Sequence, residues 1–346
     1  NAIATTATNT ISTNLNLIGS GTQIISNSNT LFTLSGVISG TTPTIQFSTM
    51  GLTRILSVTG TQNSFTGTPW LYSGALTVGR LGDAGVDSSL GRSGTVVFGD
   101  GAKLVSTGTG ESSNKVFVVR TGTGGFGEAF STAVGYGGFV NTTLSGTFTN
   151  EAAATSVGLI LNGSGTVSGL ITQVSQAVGS GSMSVVAGNT GLVISNTAND
   201  FTGPVAVIRG GALATPMLGM AGSASPLGKN QTILLSSTAG STGDVVLRFI
   251  GVSESSNKTF TLNFTTGSAA IDTGSGSLKL TNSAAWTTTG AGAKTVVLMG
   301  SGLGSLAAPL TNTTTGTGGA TSLVKAGAGT WTLTGSNTYS GATAIN

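Results

Sequence analysis

Apolar and polar residues alternate along most of this chain, or apolar ones run in short blocks such as TILLS, VVLRFI and TVVLMG, with glycine breaking the runs. A period of two over four to eight residues, bounded by Gly, Asn and Ser, predicts short β-strands separated by tight turns. The first 67 residues read as a series of such units: TISTNLNLIG, TQIIS, LFTLSGVISG, TIQFS and RILSVTG. No stretch holds a helical period. The best helical candidate, residues 213–224, carries enough glycine to read as an irregular turn instead.

The strand–turn units recur. GSNTYSG (335–341) has earlier copies in GTQNSFTG (60–67) and NTANDFTG (196–203). Asn63, Asn199 and Asn337 are therefore equivalent, as are Phe65, Phe201 and Tyr339, and Gly67, Gly203 and Gly341. The Asn copies lie 136 and 138 residues apart. After each of the first two turns comes a unit with Gly-Ala-Leu on its second strand, closing at Leu90–Gly91 and again at Leu227–Gly228. Further on, ESSNKVFVV (111–119) matches ESSNKTFTL (254–262). These marks divide the chain into a module fragment (1–67), two full modules (68–203 and 204–341) and the start of another (342–346), all within one continuous solenoid over 1–346.

An all-β chain with a fixed long period favours stacking, because a unit that cannot bury its own apolar face buries it on its neighbours. The expectation is a parallel β-helix of about 15 coils, each of roughly 20–25 residues, with little or no helix. Asn tolerates left-handed backbone and bonds within turns, so the three equivalent Asn residues are expected as structural turn formers, with the aromatic two positions later packing at a corner.

Composition narrows the chemistry. Glycine supplies 57 of 346 residues, hydrophobic residues 38% and charged residues only 7%, with a net charge of +3. The charges are scattered singly, so no basic stripe marks a nucleic-acid partner. Cysteine and histidine are absent, which removes disulfides, thiolate chemistry and the commonest general base and metal ligand. No run approaches the ~18 apolar residues of a membrane-spanning helix. The chain begins at Asn1 without a charged and apolar leader, as a mature or trimmed fragment would.

With these residues laid out, the chain resembles the passenger regions of bacterial autotransporters, and in particular the autotransporter-associated β-strand repeat, GLTKxGxGTLTLSGxNTYTGGTxIxxGTL. That pattern is matched by LVKAGAGTWTLTGSNTYSGATAIN (323–346), and more divergently by 188–214 and 51–77. The resemblance implies a right-handed parallel β-helix, secreted and displayed at the outer cell surface of a bacterium. No translocator barrel follows within this chain, and family members include adhesins, hydrolases and stalks, so the family does not by itself name a function.

Candidate chemistry is thin. Asp272-Thr273-Gly274 mimics an aspartic-protease loop, but that reaction needs two carboxylates sharing a proton, and no second Asp-Thr/Ser-Gly exists. Asp83 and Asp87 are the one close acidic pair, in a glycine-rich loop whose second copy has no acid. The glycine-rich stretches 107–112 and 300–305 lack the Lys of a phosphate-binding loop.

No catalytic, cofactor or metal site is expected, and the chain reads as an extracellular structural rod, stalk or filament subunit. Its expected partner is another copy stacked head to tail, or neighbouring modules of a longer chain. The alternative is an adhesin for host or matrix glycans, with Trp70, Tyr72, Phe126, Phe130 and Tyr136 as its binding surface. A polysaccharide-cleaving or proteolytic β-helix ranks third.

Overall fold

A computed structural model describes residues 8–27, 31–49, 54–99, 101–120, 122–126, 138–150, 157–172, 183–188, 191–208, 210–236, 244–265, 267–289, 291–313 and 318–346. Every regular element among them is a β-strand. The chain forms two compact units, 1–183 and 184–346.

In the first unit one sheet stacks seven strands, from Asn9–Ile11 through Leu31–Leu34, Ile55–Val58 and Ala75–Val78 to Lys103–Ser106, Gly122–Phe126 and Val157–Asn162. A second sheet stacks Gln23–Asn27, Thr44–Thr49, Thr68–Ser73, Thr95–Phe98, Val116–Val119 and Phe148–Asn150. In the second unit one sheet also holds seven strands, from Leu192–Ile194 to Thr343–Ile345. Named strands pair in parallel with the strand one coil away, as in Thr232–Ser236 with Thr259–Asn263. This is a parallel β-solenoid.

The alternation read in the sequence sets which side chains enter. Strand Thr44–Thr49 alternates half-buried and buried, placing Ile45 and Phe47 inside. Stacking then puts like on like. Leu192, Leu213, Leu247, Ile271 and Leu298 form one inward row, each almost fully buried. Burying an aliphatic side chain contributes about 1.5–3 kcal/mol, and the row repeats that gain once per coil. Aromatic rings stack likewise, with Phe117 and Phe148 at 5.0 Å between centroids.

Several coils are longer than the sequence suggested, which corrects the count of about 15, whereas others keep the expected length, as between Leu31 and Ile55. Register partners Thr232 and Thr259 lie 27 residues apart, and Ser113 bonds to Gly82 across 31 residues. The extra length is in loops, notably 79–94 and 216–231, which are turns and bends rather than strand. Residues 213–224, the helical candidate, end a strand and continue as one of these loops.

One corner of the second unit explains its glycines. Gly251, Gly276, Gly302 and Gly329 succeed one another coil by coil, and a Cβ on Gly302 would sit 1.9 Å from the Gly276 carbonyl oxygen. Backbone approaches backbone so closely there that no side chain fits.

Candidate functional site

The first two equivalent turns sit in the core of the stack. Asn63 and Asn199 are fully buried, as are Phe65 and Phe201, and Gly67 and Gly203 are buried beside them. The Asn63 side chain joins three coils: its Oδ1 accepts from the Ile38 N–H at 2.8 Å, while its Nδ2 donates to Gly60 O at 3.2 Å and to Ser89 O at 3.1 Å. Asn199 donates to Pro226 O at 3.0 Å in the same way. Asn337 accepts from Leu310 N at 2.9 Å and donates to Gly335 O at 3.0 Å. It is exposed, with Tyr339 and Gly341 half-buried, and the Tyr339 hydroxyl lies 2.8 Å from that of Thr343.

Each buried turn leads into a loop held from the next coil, and this pairing was not visible in the sequence. In the loop 81–92, Ser88 Oγ bonds to Gly91 O at 2.9 Å, and Gly91 takes a φ of +65° against the Phe65 ring. The ESSNK segment of the next coil grips that loop: Glu111 Oε2 accepts from Leu81 N at 3.2 Å, Ser113 Oγ donates to Gly82 O at 2.8 Å, and Asn114 Oδ1 accepts from Ala84 N at 2.7 Å. Lys115 Nζ donates to Gly91 O at 3.1 Å and to Ser93 O at 2.6 Å.

The second module repeats every part. Ser225 bonds to Gly228 O at 2.8 Å, and Gly228 has a φ of +66° against Phe201. Glu254 accepts from Leu218 N at 2.8 Å and Gly219 N at 2.6 Å, Ser256 donates to Gly219 O at 2.6 Å, and Asn257 accepts from Ala221 N at 2.7 Å. Lys258 donates to Gly228 O at 3.0 Å and to Asn230 O.

Both lysines are buried. Desolvation pushes each ammonium down to about 8, with Asp83 acting against it at Lys115 and Glu254 acting against it at Lys258. Burial likewise raises the Glu254 carboxyl above the usual range, opposed by the Leu218 and Gly219 N–H groups and by Lys258.

The acidic candidates are occupied. Asp87 pairs with Arg92 at 2.5 Å on the surface, and Asp83 accepts from Asn114 N at 2.9 Å. Asp272 is buried, bonds Gly274 N at 2.7 Å and meets Arg248 Nε at 2.7 Å. No group of three potential metal-ligating side chains converges among the described residues.

The aromatic surface expected from the sequence divides. Phe130 and Tyr136 lie outside the described residues, and Phe126 is placed only by its backbone, which pairs with Leu161. Trp70 and Tyr72 come together on the outward side of Thr68–Ser73, at 5.1 Å between ring centroids and 82° between planes. Tyr72 is 50% exposed. Arg120, which no sequence pattern singled out, lays its guanidinium 4.5 Å from the Trp70 centroid. Trp70 Nε1 is buried and has no acceptor among the described residues, a state that costs about 1–3 kcal/mol.

The outward row in this sheet runs Gln46, Trp70, Val97, Val118, Thr149. Its counterpart in the second module is Ala206, Leu234, Thr261, Thr287. Trp70 thus corresponds to Ala206, Tyr72 to Ile208, and Arg120 to Asn263. The turn and clamp residues recur; these three do not.

The passenger-associated-transport-repeat model matches residues 323–346. An adhesin, the BmaC autotransporter of Brucella suis biovar 1 (strain 1330), is 30% identical over 320 residues. The chain is similar to autotransporter passenger sequence. The aligned stretch takes in 91% of the chain and 7% of that relative's own length. The passenger repeat and this relative place the chain outside the cell, at the outer cell surface, as a β-helical surface protein. No solved structure matches it.

Proposed function

We propose that this passenger segment is a non-catalytic structural rod or stalk. The observation that carries the reading is the duplicated clamp, in which Glu, Ser, Asn and Lys of one coil spend their hydrogen bonds on the loop of the coil before. Side chains engaged in this way hold coils in register and are not available to a substrate. Electron microscopy of the 346-residue chain tests the reading, with an elongated particle of uniform width expected. An assay panel against polysaccharides and proteins is the second arm; turnover abolished by Asp272→Asn would overturn the non-catalytic part.

An adhesive role is the second reading. It is supported by the adhesin name of the Brucella suis relative and by an outward aromatic pair that the scaffold does not demand.

A further inference from the structure

We infer that Trp70, Tyr72 and Arg120 form a binding subsite for a pyranose ring of a glycan; the inference rests on the adhesive reading and supplies its ligand class. The two modules act as an internal control. Asn63 and Asn199, Phe65 and Phe201, Gly91 and Gly228, and Lys115 and Lys258 make matching contacts, so the fold requires those residue types at those places. At the corresponding outward positions the second module folds with Ala206, Ile208 and Asn263. An aromatic–aromatic–guanidinium cluster there is not a condition for stacking coils.

The geometry matches a sugar. The Trp70 and Tyr72 rings stand nearly perpendicular, at 82°, so they form two walls of a corner rather than one flat platform. The apolar C–H face of a pyranose packs on an aromatic face, while its rim of hydroxyls seeks planar donors. Tyr72 supplies the exposed face. The Trp70 indole N–H has no acceptor among the described residues, and an indole N–H is a donor only. A ring hydroxyl entering between Tyr72 and Arg120 would accept that hydrogen bond. The guanidinium, 4.5 Å from the Trp70 centroid, holds the indole in place.

The test uses the 346-residue chain on an immobilised panel of maltohexaose, cellohexaose, chitohexaose and hyaluronan oligosaccharides, with indole fluorescence as a second readout. The expected result is binding to at least one member. Binding should weaken by about tenfold or more in Tyr72→Ala and several-fold, on the order of 3–10, in Trp70→Phe, which keeps a ring but loses the N–H. Tyr339→Ala, another aromatic substitution, should bind as wild type, and far-ultraviolet circular dichroism should be unchanged in all three. Absence of binding to every member, or binding indifferent to Tyr72→Ala and Trp70→Phe, overturns the subsite. Adhesion of the chain to cultured epithelial cells separates the two levels: adhesion insensitive to both substitutions removes the subsite and leaves the adhesive reading, whereas no adhesion at all removes that reading.

Discussion

The ammonium of Lys258 donates a 3.0 Å hydrogen bond to the carbonyl of Gly228, thirty residues earlier in the chain, and Lys115 makes the same bond to Gly91 at 3.1 Å. In each case a buried cation closes a loop whose glycine is turned into left-handed backbone against an aromatic ring. The stack is thus fastened through side chains that reach back one coil.

These lysines make stability depend on pH. Folding lowers their pKa from 10.5 to about 8, so between those values the unfolded chain binds more protons than the folded one. Stability from this source is fully present above the unfolded value and is lost as pH falls through about 8. Urea unfolding of wild type and Lys115→Met at pH 7 and pH 10 checks this. The wild type should gain on the variant at the higher pH.

Asn63→Ala removes three hydrogen bonds spanning three coils and leaves the Ile38 N–H and the Ser89 carbonyl without that partner. A loss of about 2–4 kcal/mol is expected from two buried groups deprived of their partner. Asn337→Ala, at an exposed position, should cost about 1 kcal/mol or less. Chemical denaturation of the two variants gives the comparison.

Gly302→Ala should destabilise strongly, because its Cβ would meet the Gly276 carbonyl oxygen at 1.9 Å and backbone cannot yield as a flexible side chain can. Gly21→Ala is the control, since nothing lies within 4 Å of its Cβ. The melting temperature of the first should fall by several degrees, on the order of 5 °C or more, with the second near wild type.

Arg248→Ala should cost little. Its guanidinium side chain is 54% exposed although its partner Asp272 is buried, and half-exposed ion pairs contribute roughly 0–1 kcal/mol. Asp272→Ala should cost more, because it also removes the side-chain oxygen that accepts from Gly274 N. Thermal melts of the two variants, run side by side, order these effects.

Much of this architecture is written locally. Period-two alternation determined the strands and their inward faces, and Phe47, Leu213 and Leu247 are inside because each sits on the apolar phase of its strand. The recurrence of Asn63, Asn199 and Asn337 and of the two ESSNK segments was equally legible, since repeats are a property of the string itself. Alternation cannot reveal which coil a side chain reaches. Glu254 and Leu218 are 36 residues apart, and their contact exists only because loops of particular length bring successive coils into register. Coil length escaped the sequence for the same reason, glycine-rich loops being elastic in residue count. The meeting of Trp70, Tyr72 and Arg120 was likewise decided by tertiary structure. Parallel pairing carries Arg120 over a ring fifty residues earlier, and local propensity is silent on register between strands.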